Sequence, residues 1–341
     1  MKLSEYDFYL PEELIAQTPL EKRDNSKMLV VHKKSGIIEH RHFYDLVDYL
    51  TENDVLVRNI SKVIPARLFG IKEGTGAHVE LLLLKEKGDL WECICGNAKV
   101  IKVGTIINFK DILKAECIEV KEEGIRVFKM IYQGIFLEIL NQLGETPLPP
   151  YIHEKLNDPN RYQTIYAKEF GSAACPTAGL HFTDEIISKI KAKGVKIVDI
   201  ILHVGLGTFK PVKEDEIENH HMHYEYYEIS KESADLLNEA KKNKQRIIAV
   251  GTTTTRTLET LMSKYNKFQK ECDETNIFIY PPYEFKAIDC QITNFHLPKS
   301  TLIMMISAFA SKELIFKAYQ EAIDNKYRFF SFGDAMFIVN D

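Results

Sequence analysis

Apolar and polar positions are patterned in two different ways along this chain. Between about residues 61 and 150, short β-rich runs follow one another: VELLLL (79–84), LWECIC (90–95), VIKVGTIINF (100–109), ECIEV (116–120) and IRVFKMIY (125–132). Turn formers such as Lys87-Gly88-Asp89 and Gly96-Asn97 separate them. Several short strands at this spacing predict a small antiparallel barrel or sandwich. The prolines of LGETPLPPY (143–151) punctuate its end.

From about residue 183 the pattern changes to strand–helix alternation. A helix capped by Thr183 or Asp184 is predicted through Lys193, with Gly194 to stop it. VKIVDIILHV (195–204) reads as a buried strand, and residues 230–244 as a helix with Ser230 as its cap. RIIAV (246–250) predicts a strand, TRTLETLMSKY (255–265) a helix, NIFIY (276–280) a strand, and a further helix follows from about Ser300. Such alternation implies parallel strands with crossover helices. The N-terminal stretch, with LPEELIAQ (10–17), DLVDYL (45–50) and the strand-like DVLVRN (54–59), completes the same α/β domain. The β-rich segment is then an insertion within it.

Composition narrows the class further. A chain of 341 residues suggests about two domains and buries a large core without disulfides or metals. The net charge of −5 announces no general nucleic-acid binder, so any RNA contact needs a local basic patch. The six cysteines form no CxxC pair, and the N-terminus lacks the apolar core of a signal peptide. No apolar run approaches the roughly 20 residues that span a bilayer. These features predict a cytoplasmic protein with reduced, mostly buried thiols.

Six segments carry candidate chemistry. His203-Val204-Gly205-Leu206-Gly207-Thr208 ends a predicted strand, where glycines let amides approach a ligand or simply make a tight turn. Gly251-Thr252-Thr253-Thr254-Thr255-Arg256 offers amides and hydroxyls to an anion, or redundant N-caps. The small residues of GSAACPTAGLHFT (171–183), with Gly179, His181 and Thr183, make room for a flat ligand; Cys175 has no basic sequence neighbour to activate its thiol. In Glu216–Glu225, His220 and His223 would share a face of a helix, but no HExxH order marks a metal; a His223/Glu225 acid–base pair and a polar turn are the other readings. Asn294, His296 and Lys299 give polar edges to ITNFHLPKS (292–300). Lys62 and Arg67 are candidate phosphate contacts, or merely solvated charges.

Together these segments resemble the S-adenosylmethionine:tRNA ribosyltransferase-isomerase family of queuosine biosynthesis. The matching stretches include LPEELIAQTPLEKRDNSKMLV, VIPARLFG, GETPLPPYI, RYQTIYAKEFGSAACPTAGLHFT, HVGLGTFKPV, HMHYE, AVGTTTTRTLE, ITNFHLPKSTLIM and YRFFSFGDAM, spanning residues 10–336. The resemblance implies a barrel-like α/β domain (1–60 plus 151–341) with an inserted antiparallel β-barrel domain (61–150). It implies transfer and isomerisation of the ribosyl part of S-adenosylmethionine onto the aminomethyl group of 7-aminomethyl-7-deazaguanine in tRNA, giving epoxyqueuosine with release of adenine and methionine. Departures from the pattern are Ile60, Cys175, Thr254-Thr255, Tyr224, Pro282 and Cys290. Most are changes of size around a site.

That chemistry needs proton transfers near neutral pH, which histidines and carboxylates supply. His181, His203, His223, Glu225 and His296 are the catalytic candidates. Gly179, Thr183, Gly205, Gly207, Thr208, Thr252, Thr253, Arg256, Asn294 and Lys299 are the substrate-binding candidates, and Lys62 and Arg67 the tRNA-binding ones. No metal or other cofactor is expected beyond S-adenosylmethionine as co-substrate, and the expected state is a monomer free of membranes. Two other readings are an α/β enzyme acting on a small nucleoside or phosphorylated substrate, and a non-catalytic RNA-binding protein.

Overall fold

The computed structural model describes residues 1–122, 124–205 and 212–340. The N-terminal part holds strands β1 (Lys27–His32), β2 (Ile38–His42), β3 (Asp54–Asn59) and the short β4 (Ser61–Val63). Next come β5 (Arg67–Lys72), β6 (His78–Lys87), β7 (Leu90–Cys95), β8 (Ile106–Phe109), β9 (Leu113–Val120), β10 (Ile125–Tyr132) and helix α1 (Phe136–Leu143). The chain continues through β11 (Glu169–Ser172), α2 (Asp184–Ala192), β12 (Lys196–Leu202), β13 (Glu225–Ile229) and α3 (Lys231–Lys242). It ends with β14 (Arg246–Val250), α4 (Gly251–Tyr265), β15 (Glu271–Thr275), β16 (Cys290–Asn294), α5 (Thr301–Ala310), α6 (Lys312–Asp324) and β17 (Ala335–Val339). Two compact units result: Met1–Lys62 with Pro149–Glu169 and Cys175–Asp341, and Val63–Leu148 with Phe170–Ala174.

In the second unit β5 to β10 close into a six-stranded barrel, ordered β10-β7-β6-β5-β8-β9. Closure decides between the barrel and the sandwich that the pattern left open. Alternation does the work: Trp91, Cys93 and Cys95 of β7 point inward while the residues between them are more exposed. The predicted strand at 100–109 is shorter than expected, because Ala98–Val100 forms a 3-10 turn and only Ile106–Phe109 pairs.

In the first unit nine strands form one sheet, ordered β15-β13-β12-β3-β14-β16-β17-β1-β2. All six residues of β3 are buried, as a strand covered on both faces requires. The pairs β12–β3 and β3–β14 are parallel, as predicted, and β14–β16 and β17–β1, which involve strands not foreseen, are parallel too. The remaining pairs are antiparallel, so the sheet is mixed rather than all parallel. Two successive helices, α5 and α6, separate β16 from β17; this even number of passes returns the chain in the opposite direction. The strand expected at Asn276–Tyr280 lies instead at Glu271–Thr275. This polar segment pairs with β13 at the edge of the sheet, where one side meets solvent.

The cap predicted at Ser230 is in place, Thr183 rather than Asp184 caps α2, and Ser300 caps the helix foreseen after it. Ser230 accepts from the Ser233 amide at 3.0 Å, Ser300 from Ile303 at 3.3 Å, and Thr183 from Ile186 at 3.2 Å. The Thr183 hydroxyl also donates to Asp24 Oδ2 at 3.2 Å. Thr183→Ala is therefore expected to cost about 1 kcal/mol, read as a lower urea midpoint at unchanged slope. An unchanged midpoint would show that this cap contributes nothing.

Candidate active site

Because β14 and β16 are parallel, both deliver their carboxyl ends to one side of the sheet, where α/β proteins hold ligands. The chain passes from β14 into α4 without a loop. Gly251 makes that turn at φ 85°, a conformation that side chains resist. The first amides of α4 have no capping side chain. Two of the threonines that might have capped it bond instead to carbonyls one turn back: Thr254 to Val250 at 2.8 Å and Thr255 to Gly251 at 3.4 Å. Thr253 Oγ1 is buried without a partner. The helix N-terminus thus offers free donors and partial positive charge.

These groups line a cleft of about 690 Å³, solvent at its mouth included. Gly251, Thr252 and Thr253 form one wall, Thr293 to Leu297 another, and the small residues Cys175 to Ala178 a third. Tyr151, Phe330 and Ser331 complete it. Tyr151 and Ser331 share a hydroxyl hydrogen bond of 2.6 Å. Neither they nor Phe330 were picked out from sequence. Phe330 adopts φ 71°, unusual for a bulky residue, and no pattern of apolar positions signals it.

His181 is bonded to Asn294 of this cleft but is itself buried outside its lining, its ring stacked on Phe43. Its Nδ1 meets Ser26 Oγ at 2.8 Å and its Nε2 meets Asn294 Nδ2 at 3.2 Å. The same Asn294 nitrogen faces the Phe330 carbonyl at 3.2 Å. A carbonyl only accepts, so the amide nitrogen must point there, and it donates to His181 Nε2 as well. The proton of His181 is then on Nδ1, bonded to Ser26. Both ring nitrogens are engaged within the protein, and the buried Asn294 Oδ1 is left without a partner. His181 orients Asn294 rather than facing a ligand itself.

His296 lines the cleft directly. Its Nε2 lies 2.8 Å from Thr293 Oγ1, and its backbone N–H donates to Tyr319 Oη at 2.7 Å. Among the described residues Nδ1 has no hydrogen-bond partner. Burial pushes the pKa of His296 down to about 3; burial, aided by the charges of Arg23 and Arg328, does the same to His181, also to about 3. Both imidazoles are neutral at pH 7. An unfolded histidine takes its proton near 6.5, so between the two values the unfolded chain binds more protons. Stability is then complete above 6.5 and falls as pH drops below it, by about 2 kcal/mol per histidine at pH 5. Burial raises the pKa of Glu259 and Asp334, which tilts the dependence the other way in the carboxylate range. The difference between wild type and His181→Gln isolates the effect: the variant should lose one histidine's share between pH 7 and 5. Equal pH dependence in both would refute it.

Glu225 opens β13 and is buried. One carboxylate oxygen accepts from the Gly205 amide at 2.8 Å, and the other pairs with Arg256 Nη1. Arg256 is 2% exposed, and its Nε and Nη2 have no partner. Glu225 therefore anchors Arg256 and the strand exit. His203 stacks on Tyr226 at 5.4 Å, and burial lowers its pKa. His223 is exposed. The helix expected around His220 and His223 is absent: a 3-10 turn ends at Asn219, and His220 pairs with Glu214 at 3.0 Å.

The other candidates are placed as follows. A Cβ at Gly179 would lie 2.2 Å from Tyr166 Oη, so that glycine serves packing. Thr183 is a helix cap, and Lys299 pairs with Asp7 at 2.7 Å. Lys62 lies in β4; Arg67, on β5, pairs with Glu80 at 3.1 Å, which offsets its charge. Gly207 and Thr208 lie outside the described residues. Cys175 lines the cleft, but burial raises its pKa, keeping it a thiol. Among the described residues no group of three His, Cys, Asp or Glu forms a metal cluster, and no helix is long and apolar enough to cross a membrane.

An α/β unit with a ligand cleft at the carboxyl ends of parallel strands, interrupted by a closed antiparallel barrel, defines the class of protein. The sequence model for the queuosine biosynthesis protein family matches residues 3–338, and the chain belongs to that family. It is also similar to the crystal structure of an S-adenosylmethionine tRNA ribosyltransferase from Thermotoga maritima. The two are 39% identical over 98% of this chain and 100% of that one, with a TM-score of 0.58.

Proposed function

We propose that the chain transfers and isomerises the ribosyl part of S-adenosylmethionine onto the aminomethyl group of 7-aminomethyl-7-deazaguanine in tRNA, yielding epoxyqueuosine, adenine and methionine. S-adenosylmethionine is the co-substrate, no other cofactor takes part, and the protein works as a cytoplasmic monomer. The observation that carries the reading is the cleft itself. It joins an uncapped helix N-terminus, suited to a carboxylate, to a neutral imidazole and a small-residue wall that admits a flat base.

His296 is the proposed base. With its proton on Nε2 and shared with Thr293 Oγ1, its Nδ1 is free to take the proton from the ribose carbon next to the sulfonium, whose positive charge acidifies it. Elimination then opens the ribose ring at its C–O bond beside that carbon, giving a vinyl sulfonium; the ring oxygen becomes an aldehyde as the bond to adenine breaks, and the leaving nitrogen takes up a proton. The neutral amine of the tRNA base adds to the vinyl sulfonium and gives up a proton, the carbon next to sulfur closes onto the aldehyde, and the alkoxide so formed breaks the C–S bond, releasing methionine and leaving the epoxide. Asn294 and Thr253 orient the ligand by hydrogen bonds. Lys62 and Arg67 are proposed as outlying phosphate contacts, Arg67 the weaker because of Glu80.

The test is incubation with S-adenosylmethionine and tRNA carrying the aminomethyl-deazaguanine, followed by mass analysis of nucleosides and free base. Adenine release that depends on this tRNA, with epoxyqueuosine formed, is expected. Adenine release without tRNA, or none at all, would reject the proposal in favour of a small-molecule enzyme or a binding protein.

A further inference from the structure

A second recess of about 310 Å³ adjoins the cleft in the same unit. Ser331 lines both, and His181 in the recess is bonded to Asn294 in the cleft. Arg23 and Arg161 line the recess. Arg328 stands beside it. Its Nη2 donates to the Thr18 carbonyl while Arg161 Nη2 donates to that of Leu20, so the two bracket Pro19 on the recess wall. Arg23 donates to the carbonyls of Leu180 and Asn160, both at 3.1 Å.

All three guanidinium groups are held by backbone carbonyls, which fix their direction without neutralising them. Among the described residues none of the three forms an ion pair with a carboxylate. The nearby acids make their hydrogen bonds and closest ion contacts elsewhere. Asp334 accepts the amides of Lys27 and Arg328, each at 2.8 Å, and Asp158 accepts that of Asn160 at 2.9 Å. Asp24 accepts from Thr183, and its other oxygen lies 3.7 Å from Lys22. Arg161 Nε and Arg328 Nη1 are buried without any partner. Arg23 feels the charge of Arg161, and His181 those of Arg23 and Arg328. Asp158 and Asp334 offset Arg23 and Arg328 in part without pairing with them, and the three half-buried cations keep a mutual repulsion that a bound anion would relieve. Arginine forks suit phosphate oxygens in particular.

We infer that Arg23, Arg161 and Arg328 form a phosphate cradle for the tRNA backbone, holding a phosphodiester that flanks the nucleotide whose base enters the cleft. The inference rests on the proposed reading of the cleft as the site of tRNA modification. It gives a chain with net charge −5 the local basic patch that RNA binding requires.

The test uses an anticodon stem–loop carrying the aminomethyl-deazaguanine. Its affinity is measured against salt for the wild type, Arg23→Gln, Arg161→Gln and Arg328→Gln. Each variant should bind about tenfold more weakly, with a salt slope smaller by about one. S-adenosylmethionine affinity, measured by calorimetry, should be unchanged. The same RNA with a neutral methylphosphonate on either side of the modified nucleotide should bind the wild type about tenfold more weakly at one of the two positions. There Arg161→Gln should add little further loss. Indifference of the wild type to both methylphosphonates overturns the inference, and this arm decides even where a glutamine variant fails to fold. Thermal stabilisation by inorganic phosphate with normal binding of both methylphosphonate RNAs would assign the cradle to a free anion and overturn it equally. Failure of the wild type to release adenine in the presence of tRNA counts against the reading of the cleft, not against the cradle.

Discussion

Replacing His296 with alanine is expected to lower tRNA-dependent adenine release by about 100- to 10,000-fold, the usual span for a general base. S-adenosylmethionine affinity should change only a few-fold, because the lost interaction acts mainly in the chemical step. The expectation rests on position: His296 lines the cleft, and among the described residues its Nδ1 has no hydrogen-bond partner. His181→Gln makes the contrast. A glutamine oxygen can still accept from Asn294, so turnover should survive far better than in His181→Ala, which releases Asn294. His203→Ala and His223→Ala should leave turnover near normal, since neither lines the cleft. Single-turnover release of adenine at saturating S-adenosylmethionine, with calorimetry for binding, reads all of these. A folded His296→Ala that keeps near-normal turnover would place the base elsewhere; a His181→Gln as inactive as His296→Ala would make His181 chemical.

Local patterns carried much of the fold. The alternation in LWECIC and IRVFKMIY set β7 and β10 at their observed limits, and RIIAV set β14. The caps at Thr183 and Ser230 were visible because a hydroxyl before an apolar-periodic segment has one local use. The edge strand Glu271–Thr275 was not visible, since its polar sequence gains order from β13 rather than from its own periodicity. In the site, Thr252 and Thr253 were legible as strand-end residues and Asn294 and His296 as polar edges of a loop, and the four do share one cleft. What each does was not legible. The engagement of both His181 nitrogens depends on Ser26, 155 residues away, and on Asn294, 113 away. The arginine recess joins residues from three distant segments whose common feature is a missing counter-ion, and only the folded chain shows that.

The buried pair of Glu225 and Arg256 should dominate the stability of the α/β unit. Both residues are nearly inaccessible, at 4% and 2% exposed. Removing one partner strands the other charge away from water, which typically costs about 3–5 kcal/mol. Arg256→Ala leaves a carboxylate held only through the Gly205 amide and its remaining neighbours. Glu225→Gln leaves a guanidinium that already has two nitrogens without partners. Both variants should unfold at markedly lower urea, and both should bind S-adenosylmethionine poorly, because the strand exit at Gly205 and the α4 turn bearing Arg256 flank the cleft wall at Val204 and Thr252. Glu225→Leu combined with Arg256→Leu separates architecture from charge. A hydrophobic replacement of a buried pair is often neutral, so the double variant should recover most of the stability lost by either single change. If it also recovers S-adenosylmethionine binding, the pair is architectural. If it recovers stability but not binding, the free Nε and Nη2 of Arg256 contribute to the ligand site. Single variants within about 1 kcal/mol of wild type would show instead that water reaches the pair and that its burial in this fold is not maintained in solution.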